Sequence, residues 1–365
     1  MDSSSWENVL LLQTSFLGDT VLTLPLIEEI KRQFPVKKLT LLCQPASRDL
    51  LRDHPAIDEI IVDDKKKADR GFAGLRAKAR ALKAQDFTVA LTPHKSLRSA
   101  LMLYWADIPY RVGFRQSRGW FLFHRRVARD ASRHDVERNL SILTPFGIRV
   151  EDCRREIDLP VSATVQEAVN RKLSALGLEE DDLAVGVCPG SVWPTKRWSI
   201  GGFAELIRRL HQRIPCTILL FGGPDDALVV EQVQSRSGRR AINLVDQIGL
   251  RELPAAISRC ALFITNDSGP MHVAVARKIP TLAIFCATTP ELGFFPYTDK
   301  AIVVGKKLSC RPCGTHGGRR CPLGHAHCIE KIPTQTVLES AEKLLSSVER
   351  MNRRPETFQP ELLTV

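Results

Sequence analysis

"NVLLLQTSFLGDTVLTLPLIEEIKRQF" (8–34) joins an apolar run, a turn at Gly18 and Asp19, and a stretch with helical spacing. Residues 8–14 are apolar nearly throughout, which is typical of a strand buried on both faces of a parallel sheet. The order of strand followed by helix recurs along the chain. The stretch therefore predicts an α/β fold in which helices cover a parallel sheet.

Further predicted strands fall into two series, 38–44, 59–64 and 87–93, and then 183–190, 216–223, 241–245, 261–267 and 281–285. A polar stretch near 172–182 separates them. Two series of this kind predict two facing Rossmann-like domains, each a doubly wound parallel sheet, with a cleft between them. We expect an N-terminal domain at 1–172, a C-terminal domain at 183–334, and a terminal helix and tail at 335–365.

The composition is that of an ordinary soluble protein, with 365 residues of which 44% are hydrophobic. No segment approaches the roughly 18 uninterrupted apolar residues of a membrane span. The first residues lack the basic start of a signal peptide. We therefore expect a cytoplasmic protein, in which the ten cysteines are reduced thiols.

The positive charge is concentrated in the N-terminal half. The net charge is +11, and residues 65–138 contain 18 Lys and Arg against 6 Asp and Glu. Such a concentration indicates an anionic partner. The sequence has no recognised nucleic-acid motif and no evident interleaving of aromatic with basic residues. An anionic lipid surface or a phosphorylated acceptor is therefore favoured over nucleic acid.

"FITNDSGPMHVAVAR" (263–277) ends a buried strand at a polar turn before a helix. Ser268 can cap that helix, Gly269 allows close approach of a ligand, and Pro270 suits the first helical turn. Free N–H groups and a partial positive charge make a helix N-terminus an anion site. By itself the stretch fits a capped helix without a ligand equally well.

"CPGSVWPTKRW" (188–198) follows another strand of the same half and offers the hydroxyls of Ser191 and Thr195 and the cation of Lys196. "FGGPDD" (221–226) adds Asp226, whose carboxylate suits ribose hydroxyls. Several phosphate-suited loops after strands of one sheet predict a nucleotide diphosphate site. The P-loop and dinucleotide fingerprints are absent from the sequence.

Five motifs in order give the chain a resemblance to a known family. They are "LLLQTSFLGDTVLTLPLIEEIKRQFP", "PHKSLRSAL" with "RVGF", "HDVERNLSIL", "PGSVWPTKRW" and "TNDSGPMHVAVA". Together they resemble the lipopolysaccharide heptosyltransferases of glycosyltransferase family 9, and the type that adds the second heptose most closely. The resemblance spans roughly residues 8–335.

The resemblance implies a GT-B fold and inverting transfer of heptose from ADP-L-glycero-β-D-manno-heptose to the inner core of lipopolysaccharide, on a heptosyl-Kdo-lipid A acceptor. It implies that Asp19 is the general base. The implied donor ligands share positions in the C-terminal motifs: Ser191, Lys196, Ser268 and Gly269 for the diphosphate, Asp226 for the ribose, Ile248 for the adenine, Asp267 for the heptose, and His272 one turn after Ser268.

Asp19 fits two roles, a helix cap and a catalytic base. Aspartate is a favoured helix cap, and Thr20 offers an alternative cap. Inverting transfer needs one base to deprotonate the acceptor hydroxyl, while a lysine and a helix N-terminus stabilise the leaving diphosphate without a metal. Alone, the stretch favours a cap. With the other motifs present, we favour the base.

"CRPCGTHGGRRCPLGHAHC" (310–328) contains four cysteines with the spacing C-x2-C-x7-C-x6-C, namely Cys310, Cys313, Cys321 and Cys328. Zinc binding is chemically possible, since C-x2-C is a common half-site. The second pair does not repeat that spacing. We therefore favour structural thiols over a metal site, and expect no required cofactor.

The basic N-terminal half has a matching expected role in holding the acceptor at the inner membrane surface, with His94, Lys95 and Arg98 as the best individual candidates. The expected protein is then cytoplasmic and peripheral to that membrane. Three alternatives remain open: a same-fold transferase that uses a different nucleotide sugar, a non-catalytic protein that binds a nucleotide or anionic lipid, and a protein that binds nucleic acid through the basic half, which would show strongly salt-dependent affinity. The terminal helix, about 334–350, is expected to pack across the N-terminal domain, as in relatives.

Overall fold

The computed structural model describes residues 6–346 and 357–365. The chain divides into two compact units, Met1–Leu159 and Pro160–Val365, called unit 1 and unit 2 below. Each unit contains one sheet whose strand pairs are all parallel, with helices between the strands. The predicted α/β fold with two doubly wound sheets is therefore confirmed.

Unit 1 has a six-stranded sheet in the order β3-β2-β1-β4-β5-β6. Its strands are β1 Asn8–Gln13, β2 Lys38–Cys43, β3 Glu59–Val62, β4 Val89–Thr92, β5 Tyr110–Phe114 and β6 Arg125–Val127. Its helices are α1 Leu17–Val21, α2 Leu24–Gln33, α3 Pro45–Leu51, α4 Gly71–Lys83, α5 Leu97–Trp105 and α6 Asp135–Leu140. The central strands are buried on both faces, which explains their continuous apolar runs.

Unit 2 has a seven-stranded sheet in the order β13-β12-β11-β10-β7-β8-β9. Its strands are β7 Ala184–Cys188, β8 Thr217–Leu220, β9 Ala241–Asn243, β10 Cys260–Asn266, β11 Thr281–Phe285, β12 Ala301–Gly305 and β13 Glu361–Thr364. Its helices are α7 Ala163–Ala175, α8 Ile200–Arg213, α9 Ala227–Arg236, α10 Leu253–Ile257, α11 Gly269–Ala276, α12 His327–Glu330 and α13 Thr334–Ser346.

Strand order changes direction between β1 and β4 in unit 1 and between β7 and β10 in unit 2. Val9 pairs with both Leu39 and Val89, and Ile264 of β10 pairs with Val187 of β7. Loops that leave the carboxyl ends of two such strands diverge to opposite faces and leave a crevice. The sites in each unit are therefore expected after β1 and β4, and after β7 and β10.

The division after Leu159 precedes α7, which packs against α10 of unit 2. The sequence placed the end of the N-terminal domain at residue 172, inside this helix. The physical reason is that α7 buries only Val165, Val169 and Leu173 and exposes a polar face. A helix with so narrow an apolar stripe resembles a polar linker when only its sequence is considered.

The terminal helix is part of unit 2. The described part of α13 packs on α8 and on β10, β11 and β12, all in unit 2. Val337, Leu338, Ala341 and Leu344 are buried there within the core of unit 2. The tail then adds β13, which pairs in parallel with β12 and was not predicted. Residues 347–350 of the expected helix lie outside the described residues.

Candidate functional site

The carboxyl ends of β7, β8, β10 and β11 bring most of the predicted donor residues to one edge of the unit 2 sheet. Ser191 and Lys196 follow β7, Asp226 follows β8, and Asp267 follows β10. Asn266 ties two of these loops together, since its side-chain oxygen accepts the Trp198 N–H at 2.9 Å and its amide donates to the Pro189 carbonyl at 2.8 Å. This group of loops is called the unit 2 site.

Lys196 and Asp267 form the charged centre of the unit 2 site. The Lys196 Nζ lies 2.6 Å from the Asp267 Oδ2, with the lysine side chain 14% exposed and the aspartate side chain 7% exposed. The Thr288 hydroxyl donates to the same Oδ2 at 2.6 Å. The pair thus holds an ammonium group in a largely dry position at the strand ends, where its electrostatic effect is stronger than in water. Thr288, after β11, was missed by the sequence analysis.

The turn that carries Lys196 is held from two sides. The Thr195 carbonyl accepts the Ala287 N–H at 3.2 Å. Thr195 also exchanges bonds with Gly318, donating its N–H to the Gly318 carbonyl and accepting the Gly318 N–H on its hydroxyl at 2.8 Å. The Thr195 hydroxyl, which the sequence offered as a ligand group, is therefore engaged by the chain itself.

Gly317 fits closely against this turn. Its φ is +74°, and a Cβ there would lie 2.9 Å from the Lys196 Cγ and 3.0 Å from the Thr195 Oγ1. Only glycine meets both demands without strain. The glycine-rich part of the cysteine-containing segment is thus a support for the lysine turn, a role that its sequence did not indicate.

Helix α11 presents its N-terminus to the unit 2 site without the expected cap. Ser268 occupies the N-cap position but its side chain makes no capping bond, and its hydroxyl lies 3.1 Å from the Thr265 hydroxyl instead. The predicted cap is therefore wrong. Because the N-cap side chain does not satisfy the first N–H groups, they are available to an anion.

His272 contributes an unusual buried nitrogen. The residue is 4% exposed, and its Nδ1 has no hydrogen-bond partner within the described part of the chain. Burial lowers the pKa of His272 to about 4, with nearby Asp267 opposing and Lys196 reinforcing this shift. The ring is neutral at pH 7, so it offers a nitrogen to a ligand but no positive charge. Buried polar atoms of this kind require explanation, and a ligand group supplies one.

Asp226 packs directly on the backbone of Gly190, since a Cβ on that glycine would lie 2.3 Å from the Asp226 Cγ. The Asp226 Oδ1 also pairs with the Arg197 Nη2 at 3.3 Å, and the Arg197 Nε donates to the Ser191 carbonyl at 2.8 Å. Arg197 thereby links two loops of the site and was missed by the sequence analysis. Ile248 is half-buried in the turn that follows β9.

In unit 1, Asp19 lies in the first turn of α1, which follows β1. Its Oδ2 accepts the Phe16 N–H at 3.1 Å, so the carboxylate does satisfy a helix N-terminal donor. The N-cap residue is Phe16 and not Asp19 or Thr20. The Asp19 side chain remains half-buried. The helix-end contact and a role in catalysis are compatible, because one carboxylate has several acceptor positions.

The loop after β4 lies near this carboxylate. Burial lowers the pKa of Lys95, Arg129 acts in the same direction, and the charge of Asp19 acts against it. His94 contacts the hydroxyls of Thr14 and Ser99 through its Nδ1, at 3.1 and 2.8 Å. Burial, with Lys65 and Lys95, lowers the pKa of His94 to about 4. Lys95 is therefore the cation and His94 the neutral group of this loop.

Arg98, the third predicted acceptor residue, is engaged inside unit 1. Its Nη2 lies 2.8 Å from the Asp63 Oδ1, and the Asp63 side chain is almost fully buried. It also donates to the carbonyls of Asp69 and Gly71 at 2.8 and 3.2 Å. These contacts give Arg98 a structural role in joining the loops after β3 and β4.

A second charged cluster in unit 1 was not assigned a role from the sequence. Arg138 and Asp135, in the "HDVERN" motif on α6, are 3% and 6% exposed. The Asp135 Oδ1 lies 2.7 Å from the Arg129 Nη2 and 3.6 Å from the Arg138 Nη1. The motif places opposite charges three residues apart on a helix, a spacing that favours an ion pair.

Within residues 6–346 and 357–365, no three His, Cys, Asp or Glu side chains are grouped so that they could hold a metal ion. The four cysteines of 310–328 include a contact in which the Cys313 Sγ lies 3.4 Å from the Cys310 carbonyl. Among the described residues, no helix combines the length and apolar character needed to cross a bilayer.

The comparison with known families decides the class. The model of glycosyltransferase family 9 (heptosyltransferase) matches residues 75–325. This chain belongs to glycosyltransferase family 9. The resemblance stated from the five motifs is thereby confirmed, and the protein is a glycosyltransferase enzyme.

Relatives of this family 9 chain match it over nearly its whole length. Lipopolysaccharide heptosyltransferase 2 of Salmonella typhimurium is 26% identical over 349 residues, covering 93% of this chain and 98% of that protein. The crystal structure of a family 9 glycosyl transferase from Veillonella parvula matches with a TM-score of 0.83 and 25% identity, covering 94% and 98% of the two chains. E. coli ADP-heptose lps heptosyltransferase II matches with a TM-score of 0.76 and 24% identity, covering 94% and 99%. The family 9 chain therefore has the GT-B-type fold of heptosyltransferases.

Proposed function

We propose that this enzyme transfers heptose, with inversion, from ADP-L-glycero-β-D-manno-heptose to the inner core of lipopolysaccharide. Family membership and similarity to the Salmonella lipopolysaccharide heptosyltransferase 2 support heptose transfer to lipopolysaccharide. Similarity to the E. coli ADP-heptose lps heptosyltransferase II supports the donor. The observation that carries the proposal is the largely dry Lys196 ammonium beside the uncapped N-terminus of α11.

The donor is held in unit 2. Lys196, the first N–H groups of α11 and the hydroxyls of Ser191 and Ser268 bind the diphosphate, since cations and helix N-termini stabilise phosphate oxygens. Gly269 permits the close approach. As the bond to the anomeric carbon breaks, charge grows on the leaving diphosphate and the same groups stabilise it. Asp267 and the neutral His272 contact the heptose hydroxyls or the phosphates.

The remainder of the nucleotide lies along the neighbouring strand ends. Asp226 accepts from ribose hydroxyls, while the Arg197 contact holds its carboxylate in place. Ile248, half-buried after β9, packs on the adenine. These assignments follow the order of the strands from β10 to β9, which sets the direction of the nucleotide along the sheet edge.

The acceptor is prepared by unit 1. Asp19 removes the proton of the acceptor hydroxyl as that oxygen attacks the anomeric carbon, the role that one carboxylate plays in inverting displacements. The acceptor is an anionic saccharide, and Lys95 with His94 contacts it. Lys95 serves this purpose better than Arg98, which is already committed to Asp63.

The test is transfer with purified protein. ADP-heptose is incubated with a heptosyl-Kdo-lipid A core lacking the second heptose, and the product is analysed by mass spectrometry and by NMR of the new linkage. We expect one added heptose whose anomeric configuration is opposite to that in the donor. Matched reactions with UDP- and GDP-hexoses serve as controls. Binding of ADP-heptose with no product on any core acceptor would contradict the proposal.

A further inference from the structure

Unit 1 exposes aromatic side chains together on one face. Among the described residues, four of the five exposed large aromatic side chains lie on α4, α5 and the turn 120–122, with exposures of 63% for Phe72, 49% for Tyr104, 44% for Trp120 and 57% for Phe121. Leu97 is exposed beside them. Monomeric proteins rarely gather large apolar side chains in this way without a partner for them.

These residues form one continuous surface. Phe72 of α4 packs edge-on against Trp105 of α5, with ring centroids 5.3 Å apart. The turn 120–122 is pressed onto the other end of α5, since a Cβ on Gly119 would lie 2.3 Å from the Ala100 Cβ. The opposite faces of both helices, including Leu75 and Leu103, are buried in the core. The aromatic side chains therefore point away from a rigid support.

Arginines surround the aromatic side chains. The guanidinium carbons of Arg76, Arg111 and Arg126 lie 5.9, 5.4 and 4.7 Å from the ring centroids of Phe72, Tyr104 and Trp120. This overturns the expectation that aromatic and basic residues are not interleaved in this half of the chain. The contact between Arg126 and Trp120 is only evident in the structure because it joins residues on either side of a turn.

The surface has almost no counter-charge. Residues 71–83 contain four Lys and Arg and no Asp or Glu, and residues 110–127 contain five Arg and no Asp or Glu. We call this surface the aromatic–arginine patch. Its members are Phe72, Arg76, Leu97, Tyr104, Arg111, Trp120, Phe121, Arg125 and Arg126.

We propose that the aromatic–arginine patch docks this enzyme on an anionic lipid bilayer. Aromatic side chains favour the boundary between headgroups and acyl chains, and arginines favour anionic headgroups. Both occur here on a rigid face, which is the arrangement of a protein that lies on a membrane without crossing it. The patch adjoins the loop after β4, because the Arg118 N–H donates to the Lys95 carbonyl at 3.1 Å. A lipid-borne acceptor in the same bilayer would thus be delivered beside Lys95.

Single-stranded nucleic acid is the competing partner for a basic and aromatic surface. Base stacking requires open ring faces. Here guanidinium groups cover one face each of Phe72, Tyr104 and Trp120. Each of these rings therefore offers a base at most one open face, whereas insertion between headgroups requires no open face. The bilayer is therefore the favoured occupant.

The experiment measures binding of the full chain to vesicles of phosphatidylcholine with and without about 30% phosphatidylglycerol. We expect binding only to the anionic vesicles, and weaker binding as salt rises. The double variant Trp120→Ser/Phe121→Ser should lose at least about tenfold in affinity, because it removes the inserted side chains. Arg125→Ser/Arg126→Ser should lose about tenfold through charge alone.

Two matched controls keep the test specific. Leu362→Ser removes an exposed apolar side chain from β13 of unit 2, and Arg208→Ser/Arg209→Ser removes the same charge from α8. Both should bind anionic vesicles as the wild type does. Equal binding by the patch variants and these controls would overturn the proposal. Failure of the wild-type protein to bind anionic vesicles would also overturn it. A third contrary result would be that a short single-stranded RNA displaces the protein from vesicles at a lower concentration than phosphatidylglycerol micelles do.

Activity on a deacylated, water-soluble acceptor separates this inference from the proposed function. The patch variants should transfer sugar to that acceptor at the wild-type rate, because the patch holds none of the proposed catalytic groups. Vesicle binding without any heptose transfer would remove the proposed function and leave the docking surface in place.

Discussion

Asp19 combines a helix-end contact with a position that suits a base. Its carboxylate accepts the Phe16 N–H, and Lys95 lies close enough for their charges to interact. A side chain with both functions has a practical advantage, since the backbone contact fixes the rotamer of the group that must meet the acceptor.

Replacing Asp19 with Asn should abolish the base while keeping the helix-end contact, because the amide oxygen can still accept the Phe16 N–H. We expect kcat to fall by about 10²–10⁴-fold, the usual contribution of a general base. The affinity for ADP, measured by calorimetry, should be unchanged. Asp53→Asn, an exposed carboxylate of the same unit, is the control and should keep full turnover. Wild-type kcat in Asp19→Asn would remove the assignment.

Replacing Lys196 with Met should have two separable effects. ADP binding should be lost, and the protein should be destabilised by about 3–5 kcal/mol because the nearly buried Asp267 loses its cation. The double variant Lys196→Met/Asp267→Asn also removes the carboxylate charge of Asp267, which would otherwise be buried without a cation. It should regain most of the melting temperature without regaining ADP affinity. Recovery of ADP binding in the double variant would show that Lys196 is not a diphosphate ligand.

His272 should make stability depend on pH. Its folded-state pKa of about 4 lies below the value near 6.5 of an unfolded histidine, so the unfolded chain takes up the proton first on acidification. Above about pH 6.5 His272 is neutral in both the folded and the unfolded protein, so it does not oppose folding. As the pH falls from 6.5 towards 4, the free energy of unfolding should decrease by about 3 kcal/mol in total. His272→Gln should therefore show a smaller fall in melting temperature between pH 7 and pH 5 than wild type. An equal fall would contradict the burial of this ring.

At the scale of elements, the loop 306–326 is a support for the lysine turn. Arg311 is half-buried and donates to the carbonyls of Phe285 and Thr288, at 2.7 and 2.5 Å. The Cys313 N–H donates to the Ala287 carbonyl at 2.9 Å. These bonds fix the loop to the end of β11, and the Gly317–Gly318 contacts extend the same support to Thr195 and Lys196. The loop therefore affects the site without contributing a catalytic group.

Gly317→Ala should weaken ADP binding because the added methyl group would displace the turn that carries Thr195 and Lys196. Gly324 provides a matched control, because both glycines lie in the same segment with φ near +75°, but a Cβ on Gly324 would meet nothing within 4 Å. Both substitutions should cost about 1 kcal/mol of backbone strain. Only Gly317→Ala should also lower ADP affinity, as measured by calorimetry. An equal loss in both variants would show that the contact with the lysine turn is unimportant.

At the scale of the whole molecule, the two units have separate cores, one containing Leu10, Leu42 and Leu103 and the other containing Val187, Phe203 and Ile264. The proposed ADP ligands all belong to the second. A ligand stabilises the folded form of the part that binds it, by about 2.7 kcal/mol at a concentration 100 times its Kd.

Hydrogen exchange should therefore respond to ADP unevenly. Core amides of β7 and β10 should exchange up to about 100-fold more slowly at saturating ADP, since their exchange reports opening of unit 2. Core amides of β1 and β4 should change much less. Mass spectrometry of peptides from the two units measures both at once. Slowing confined to β1 and β4 would place the nucleotide in unit 1 and contradict the assigned site.

The sequence by itself determined the two parallel sheets and most of the donor loops. Apolar runs such as 8–14 are required by strands that are buried on both faces, and polar turns such as 266–269 must lie at strand ends because buried loops cannot satisfy their backbone. It did not find β5, β6, β12 and β13, of which β6 and β13 are edge strands and β5 and β12 pair with them.

Only the tertiary structure decided which charged side chains already form ion pairs within the protein. Arg98 and Lys196 look alike in sequence, each a cation after a strand. Arg98 pairs with Asp63 and donates to two backbone carbonyls. Lys196 pairs with Asp267, which also accepts from Thr288 and lies beside the uncapped N-terminus of α11. The support of the lysine turn by Gly317, and the contact of Arg126 with Trp120, likewise join residues that fold together from separate segments. The preference for helix, strand or turn is encoded within a few residues. Ion pairing and burial of a side chain depend on which distant segments of the chain pack against it.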